Sequence, residues 1–527
     1  MASSLSSAAH RKSSAEDVVK EGLVTDEKSV QPSSSINLQD GDEALQLIGV
    51  ERSAHFSDEY NAKLRMKLDM VIPPIAAVVF FIGALDKTSL NYASIMGFPI
   101  VGQHYNLVSL AIYLGFIAWQ FPTIFISQRI RMAKWLGANI IGWGIVLMLH
   151  ASATSFRAFF ALRFLLGLCE SCTTPSLVLI IGMFYKKNEQ ASRISWYYAM
   201  ASANGLASVF GGFVAYGISF DKEHGLPPYK ILYILLGGLS ILIGICVLIW
   251  LPDSPVHARF LSQEERIAAL ERVRDDQGGT KNKTFKKYQM IEAFTDIRTW
   301  FIVLSTFLTS IPNGALTNFS NLVIKSFGYT SKQTLILSTP AGVIGALATL
   351  FVGRYSDKKN ERILPIVFCL VPTIIGSAIL IGLNRSGHKG ALLFAIYIIG
   401  TFSSAIPLIF AYIASNTSGF TKRATVNAMT LVAFSVGNIT GTEIFQPKDA
   451  PDYIPGKIAI MVLLIVAVFV CFTLRWINIH LNNRKQVQVA ELKARRGWSD
   501  ADMQKERDRH AFADLTDYEN IYFVYTA

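Results

Sequence analysis

Twelve stretches of about 20 mostly apolar residues constrain the fold of this chain more than any other feature. A stretch of this length spans the hydrocarbon core of a bilayer as a helix. Lipid offers the backbone no hydrogen-bond partner, so each stretch must bond its N–H and C=O groups internally. The sequence therefore predicts an all-α membrane protein with twelve transmembrane helices. The stretches are residues 71–96, 107–127, 134–151, 157–184, 194–218, 231–251, 300–324, 334–353, 363–383, 391–415, 424–444 and 457–480.

A long polar segment divides the apolar stretches into six and six. This count is typical of a chain with two pseudo-symmetric halves. We therefore predict two pseudo-symmetric six-helix bundles, and the first tail, rich in Ser, Asp and Glu, should be disordered. The predicted segments are a cytoplasmic N-terminal tail at 1–66, a bundle at 67–251, a cytoplasmic central loop at 252–299, a bundle at 300–483 and a cytoplasmic C-terminal tail at 484–527.

The placement of basic residues indicates the orientation in the membrane. The central loop, which lies on the same side as both tails, carries nine Lys and Arg residues, and such loops favour the cytoplasm. We predict a multi-pass protein of the plasma membrane with both termini cytoplasmic. In the same loop, Ser262 and Glu265 have the capping-box spacing that begins a helix. We expect this short helix to lie at the membrane interface.

The net charge of +11 has a second possible meaning, which is nucleic-acid binding. Nucleic-acid-binding proteins concentrate basic residues in a patch or stripe, whereas here they are scattered over short loops. We therefore expect no nucleic-acid partner. No phosphate-binding loop of the G-x-x-x-x-G-K-[ST] type is present, so the sequence gives no support to ATP-driven pumping. We also predict no cofactor and no metal site.

Four ionisable residues lie inside apolar stretches and are the first candidates for function. Asp86 and Lys87 interrupt the first stretch, and Arg163 and Glu170 lie in the fourth. A full charge at the bilayer centre costs at least about 2.5 to 3.5 kcal/mol, so it normally faces a partner or a water-filled cavity. Seven positions are nearly two helical turns, so Arg163 and Glu170 share one helix face. Arg163 could also simply tether helices, with Glu170 or Asp86 neutralising it.

A basic segment after the eighth stretch is the candidate gate. It contains Gly353, Arg354 and Asp357, and we predict that it forms a tight turn. Its acid can pair with neighbouring helix ends and close the cytoplasmic side. The alternative is that its basic residues only set the topology, as they do at the ends of many spans.

Several motifs resemble a known family. The twelve spans, the segment 353–359 and RFLLG at 163–167 are similar to the major facilitator superfamily. More narrowly, LDKTSLNYA at 85–93 and LPDSP at 251–255 resemble its anion:cation symporter branch. GTEIFQPKDAP at 441–451 is similar to the fungal allantoate-permease group of that branch.

The resemblance implies roles for the charged residues. Basic residues on the first and fourth spans of related symporters meet the anionic group of the substrate, and paired acids take up protons. Carried over by position, Lys87 and Arg163 would bind the anion, and Asp86 and Glu170 would couple transport to protons. Asn91 lies four residues after Lys87 on the same helix face, so it could add a hydrogen bond or only join helices.

The seventh span corresponds to the first in the two-half arrangement, but it carries amides instead of charges. Asn313 and Asn318 are candidates for neutral hydrogen bonds to the substrate, or for contacts between helices. Pro312 could let this span bend. The sequence therefore places proton coupling in the first half and predicts that the second half supplies shape.

The leading functional hypothesis is proton-coupled uptake of a small organic anion by alternating access. Candidate substrates are allantoate or another ureido acid, a vitamin-like carboxylate or a short peptide. An exporter of a hydrophobic metabolite or drug uses the same fold and is the alternative. A third class is a sensor derived from a transporter. Such sensors usually carry long tails, and the tails of this chain are short. In each case we expect no enzyme, and we expect a monomer whose partners are the lipid bilayer, protons and the organic anion.

Overall fold

Helices form nearly all the regular structure of the protein in a computed structural model. The described residues are 43–48, 56–95, 98–100, 103–200, 206–219, 226–277, 282, 284–329, 331–384, 387–444, 449 and 452–526. The helices of the first half and of the central loop are α1 Glu43–Ile48, α2 Asp58–Ile95, α3 Gln103–Arg129, α4 Met132–Leu149, α5 Phe156–Glu170, α6 Thr173–Phe184, α7 Lys187–Met200, α8 Leu206–Ser219, α9 Pro228–Trp250, α10 Gln263–Arg274 and α11 Lys287–Thr295. The remaining helices are α12 Ile297–Ser326, α13 Ser331–Lys359, α14 Ile363–Gly382, α15 Lys389–Ile399, α16 Ala405–Asn416, α17 Phe420–Ile444, α18 Ile454–Arg496 and α19 Asp500–His510.

Every predicted span overlaps one of these helices or two consecutive ones. Within the described residues, nine helical segments are long and apolar enough to cross a membrane. The fifth, eighth and eleventh spans, which are not among the nine, correspond to α7 with α8, to α13 and to α17. The predicted all-α architecture is confirmed.

Two groups of helices pack separately and meet along a shared interface. In the first half α4 packs on α9 and α3 packs on α5, and in the second half α12 packs on α17 and α14 packs on α18. The halves meet where α3 contacts α17, α7 contacts α13 and α6 contacts α16. We call the side at which α2 begins and α18 ends the tail side; α10 and α19 also lie there.

The fourth and tenth spans are both interrupted, and proline accounts for both breaks. The fourth span breaks between Glu170 and Thr173, and the tenth changes to a 3-10 turn at Gly400–Ser404. Pro175 and Pro407 follow these breaks and lack the N–H that a helix would donate four residues back. Broken spans at matching positions of two halves are a usual feature of transporter binding sites. The predicted bending point at Pro312, in contrast, lies inside the continuous helix α12.

Helices extend into both predicted tails. The disordered tail predicted at 1–66 is wrong for residues 43–48 and 58–66, which are helical, while 1–42 and 49–55 lie outside the described residues. Residues 484–496 continue α18 beyond the predicted span. A run of good helix formers without Gly or Pro carries the helix on to Gly497, which ends it at a φ of 61°.

Two expectations for the tail side also need correction. The segment from Gly353 to Lys359 is not a turn but the last part of α13, because the chain first turns at Asn360, whose φ is 50°. The capping box of Ser262 and Glu265 begins α10 as expected. However, residues 268–274 of that helix are buried in protein contacts, so α10 does not lie on a membrane surface.

Candidate functional site

A cavity of about 300 Å³ lies between the two halves. Its charged lining residues in the described part of the chain are Lys87, Arg163 and Glu170, and all three come from the first half. The second half contributes polar but uncharged groups and small residues, among them Asn313, Thr349, Ser403, Ser435 and Thr442. Among the described lining residues, the charged groups therefore come from the first half and the second half supplies neutral ones.

Lys87 and Glu170 form the ion pair that faces this cavity. The Lys87 Nζ lies 3.0 Å from Glu170 Oε1, and the Lys87 side chain is 40% exposed. Glu170 is buried, and its Oε2 has no hydrogen-bond partner among the described residues. The Lys87 Nζ also lies 5.6 Å from the centre of the Phe116 ring. This pair therefore combines an accessible cation with a carboxylate that depends on that cation for neutralisation.

Asp86 and Arg163 form a second pair, which is more deeply buried. The two atoms that approach most closely, Arg163 Nη1 and Asp86 Oδ1, are 3.8 Å apart, and both side chains are almost fully buried. The Trp143 indole donates a hydrogen bond of 3.0 Å to Asp86 Oδ2. Ser89 accepts a hydrogen bond of 3.3 Å from Arg163 Nη2. The two possible partners of Arg163 were Glu170 and Asp86. The structure pairs Arg163 with Asp86, which does not line the cavity.

Glycines bring the helices that carry these side chains close together. A Cβ on Gly167 would lie 2.1 Å from the backbone oxygen of Ile112, and a Cβ on Gly115 would lie 2.3 Å from that of Phe164. Only glycine at both positions lets α3 and α5 pack this closely. The contact sets the position of Glu170, which lies one turn beyond Gly167.

An amide pair lies at the opposite wall of the cavity, where Asn313 is a lining residue. Asn313 on α12 donates a hydrogen bond of 2.8 Å to Asn438 on α17, which is itself buried. The helices touch beside this pair, since a Cβ on Gly314 would lie 2.2 Å from the Asn438 backbone oxygen. The side chains of the other two amide candidates, Asn91 and Asn318, lie outside the described residues.

On the tail side, Asp357 joins the two halves. Its carboxylate accepts hydrogen bonds of 3.1 and 2.7 Å from the backbone N–H groups of Ala191 and Ser192, in the second turn of α7. Arg362 pairs with the same carboxylate at 3.2 Å. Asp357 of the second half is thus held by backbone N–H groups of the first half and by Arg362 of its own half.

The other two gate candidates contribute unequally to this contact. A Cβ on Gly353 would lie 2.4 Å from Ser195 Oγ of the opposite half, so glycine permits the approach of α13 to α7. Arg354 is exposed.

Sequence reasoning missed Trp143, Ser89 and Asn438. Each had a detectable signal, because a buried indole N–H, hydroxyl or amide inside a span must find a partner. Ser89 also lies three residues after Asp86, on the same helix face. What the sequence lacked was the pairing. It depends on how the first, third and fourth spans are rotated against one another and, for Asn438, on how the seventh span lies against the eleventh.

Comparisons with known proteins agree with this architecture. Residues 75–442 match the family model for the Major Facilitator Superfamily. The allantoate permease of Saccharomyces cerevisiae is 33% identical, with 92% of this chain and 90% of that protein covered. A thiamine pathway transporter of the same yeast is 31% identical, covering 97% and 98%.

Solved structures show the same fold at low sequence identity. The proton:xylose symporter XylE superposes with a TM-score of 0.61 at 13% identity, over 76% of this chain and 94% of that one. The chain belongs to the Major Facilitator Superfamily and is a multi-pass membrane transporter, not an enzyme.

Proposed function

We propose that this protein is a proton-coupled symporter for a small organic anion, which it takes up across the plasma membrane with both termini in the cytoplasm. The observation that carries the proposal is the pair of Lys87 and Glu170 at the wall of the cavity. The cation is accessible from the cavity, and its carboxylate partner among the described residues is Glu170, an acid buried beside it. An incoming anion competes with that acid for the same cation.

Protonation of Glu170 would couple the movement of the proton to that of the organic anion. While Glu170 is ionised it neutralises Lys87, and a second anion at the cation would place two like charges side by side. Once Glu170 binds a proton, Lys87 is left as an unpaired cation in a partly desolvated site, which is costly unless an anion takes its place. Proton binding and anion binding therefore favour each other, as symport requires.

Arg163 and Asp86 have a supporting role in this proposal. Their pair holds the first span against the fourth and carries no net charge. Arg163 touches the cavity wall, so it adds positive potential near Lys87 without being the first group that an anion meets. Asn313 supplies a neutral amide on the opposite wall, and the buried Asn438 positions it through a hydrogen bond. An amide or ureido group on the substrate would suit the Asn313 side chain.

Two further observations support an organic anion. A volume of about 300 Å³ is at the small end of ligand pockets, which suits a metabolite more than a large hydrophobic drug. An exporter of hydrophobic compounds would also have little use for a cation and an acid at the cavity wall. The yeast relative named allantoate permease is consistent with a ureido acid as substrate, and allantoate is the first compound to test.

The test is a Glu170→Gln variant reconstituted in vesicles with labelled allantoate and a panel of other carboxylates. The amide imitates the protonated acid, so the variant should exchange external for internal substrate and should fail to concentrate it when a pH gradient is imposed. Glu443→Gln is the matched control, because Glu443 is an exposed acid on α17 and does not line the cavity. It should concentrate substrate as the parent does.

Three outcomes contradict the proposal at different points. A Glu170→Gln protein that still concentrates substrate in response to pH would move the coupling site elsewhere. Equal uptake by Lys87→Gln and parent protein would remove the anion site from Lys87. Transport of hydrophobic cations or neutral compounds, with none of any carboxylate, would favour the exporter.

A further inference from the structure

The C-terminal residues of the chain, from Ala511 to Thr526, form a buried segment and not a free tail. Eleven of these sixteen residues are buried, including Phe512, Asp517, Phe523 and Tyr525. The segment lies on the tail side, where it contacts the central loop and both halves of the transporter. We call residues 511–526 the C-terminal latch.

An ion cluster fixes the latch to the second half. Asp517 is fully buried, with Lys422 Nζ at 2.8 Å and a second ion pair to Arg298. Burial opposes ionisation of Asp517, but Lys422 and Arg298 outweigh this effect and hold the pKa of its carboxyl well below the usual range. Asp517 therefore remains a carboxylate at any ordinary cellular pH.

Hydrogen bonds extend this attachment to the last residues of the chain. Thr526 and Asn416 bond reciprocally, with the Thr526 backbone N–H donating and the Asn416 amide donating back, each at 2.7 Å. Tyr525 and Asn482 do the same at 2.8 and 2.9 Å. Because α16 and α18 carry these partners, the end of the latch is part of the second half.

The latch also reaches the first half, through Lys187 at the start of α7. The Lys187 Nζ donates a hydrogen bond of 3.0 Å to the backbone oxygen of Val524 and lies 3.6 Å from the centre of the Phe523 ring. Lys187 is buried by this contact. The same few residues of the latch are thus held by both halves at once.

The beginning of the latch reaches the first half indirectly. Phe512 packs in an apolar cluster with Leu270 of α10. That helix is itself tied to the first half, by Glu265 to Lys67 at 2.7 Å and by an ion pair between Arg272 and Glu189. A continuous series of contacts therefore runs from α2 and α7 through the latch to α16, α17 and α18.

We propose that the C-terminal latch holds the tail side of the transporter closed, and that Lys187 must leave Val524 and Phe523 before this side can open. Alternating access requires the halves to separate on the tail side. The latch makes many more contacts with the second half than with the first, so it stays on the second half and parts from Lys187. The side-chain contact of Lys187 with the latch is distinct from the contact of Asp357 with α7, although Arg362, the partner of Asp357, also donates to the backbone oxygen of Lys187.

Ser195 provides a reporter for the separation of the halves. It is fully buried against Gly353 of the opposite half, and Ser195→Cys changes one atom. In a background with the five native cysteines replaced, the purified protein would be mixed with a thiol-reactive maleimide. If opening is fast relative to labelling, the labelling rate follows the population that has opened on the tail side. The measurement needs neither a known substrate nor a known orientation in vesicles.

The decisive variant is Lys187→Met, which keeps the length of the side chain and removes its donor. We expect labelling of Ser195→Cys to become about tenfold faster, a change that corresponds to roughly 1.4 kcal/mol. Lys186→Met is the matched control, since Lys186 is the neighbouring lysine and no contact of its Nζ with the latch is observed among the described residues. It should label at the parent rate.

A second variant separates the latch from local damage at the start of α7. Phe523→Ala leaves the backbone of the latch and Lys187 in place but removes the ring on which Lys187 lies, so labelling should again be faster than in the parent. Thermal unfolding of each variant shows that it is folded. Labelling of folded Lys187→Met and Phe523→Ala at the parent rate would overturn the proposal. So would equal acceleration by Lys186→Met.

Discussion

Removing Arg163 should destabilise the protein strongly, and removing Asp86 as well should restore most of the stability. The closest charged atoms of the pair are 3.8 Å apart, which at an effective dielectric constant of about 20 corresponds to an attraction of about 4 kcal/mol. Arg163→Met keeps much of the side-chain volume but leaves the Asp86 carboxylate, which is fully buried, with Trp143 and Ser89 as its donors among the described residues. Breaking a buried pair in this way costs about 3 to 5 kcal/mol.

The second substitution, Asp86→Asn, removes the charge that Arg163→Met leaves behind. The amide can still accept the hydrogen bond from the Trp143 indole through its oxygen. A buried ion pair replaced on both sides by neutral groups is often nearly neutral for stability. The double variant should therefore unfold close to the parent, whereas Arg163→Met alone should unfold several degrees lower.

Thermal unfolding of the four proteins in detergent completes a double-mutant cycle, and the coupling should be favourable by about 2 kcal/mol or more. Asp86→Asn alone supplies the fourth corner of the cycle. A double variant that is no more stable than Arg163→Met would refute the reasoning. The loss of stability would then come from altered packing and not from the unpaired Asp86 carboxylate. An Arg163→Met protein as stable as the parent would show that the pair is not desolvated.

Two further substitutions test the close helix contacts and the gate. Gly167→Ala should abolish recovery of folded protein, because its Cβ would meet the Ile112 backbone oxygen, which cannot move aside without separating the helices. Gly142→Ala, whose Cβ has only ordinary contacts, should be recovered like the parent when both are compared by size-exclusion chromatography. Asp357→Asn should accelerate labelling of the buried reporter cysteine, since it weakens the acceptor of two backbone N–H groups, while Lys358→Gln on the exposed face should not. Equal rates for these last two variants would remove Asp357 from the gate.

The charged residues of the cavity show how far the sequence could lead. Asp86, Lys87, Arg163 and Glu170 were identifiable because a charge inside an apolar span is costly and therefore needs a specific reason. Their pairing was not identifiable. Arg163 and Glu170 share a face of one span, yet each pairs with a residue of another span. Spacing along one helix indicates which side chains share a face but not which helix lies opposite.

The gate shows a similar limit. The sequence singled out Gly353 and Asp357 by their position after a span, but it predicted a turn where α13 continues. The partners of Asp357 are backbone N–H groups, which every residue except proline carries and which leave no mark on the sequence. Only the placement of α13 against α7 decides which of these groups the carboxylate meets.

The sequence by itself determined the membrane location, the helical architecture and the division into two halves, because these follow from the cost of exposing charges and unpaired backbone groups to lipid. Those costs depend on local composition and can be read one span at a time. The tertiary structure alone decided that Lys87 faces the cavity while Arg163 is mostly buried, and that the C-terminal residues join both halves. Such contacts connect residues that are up to 337 positions apart, as between Lys187 and Val524. They depend on how the spans rotate and pack, which no local pattern specifies.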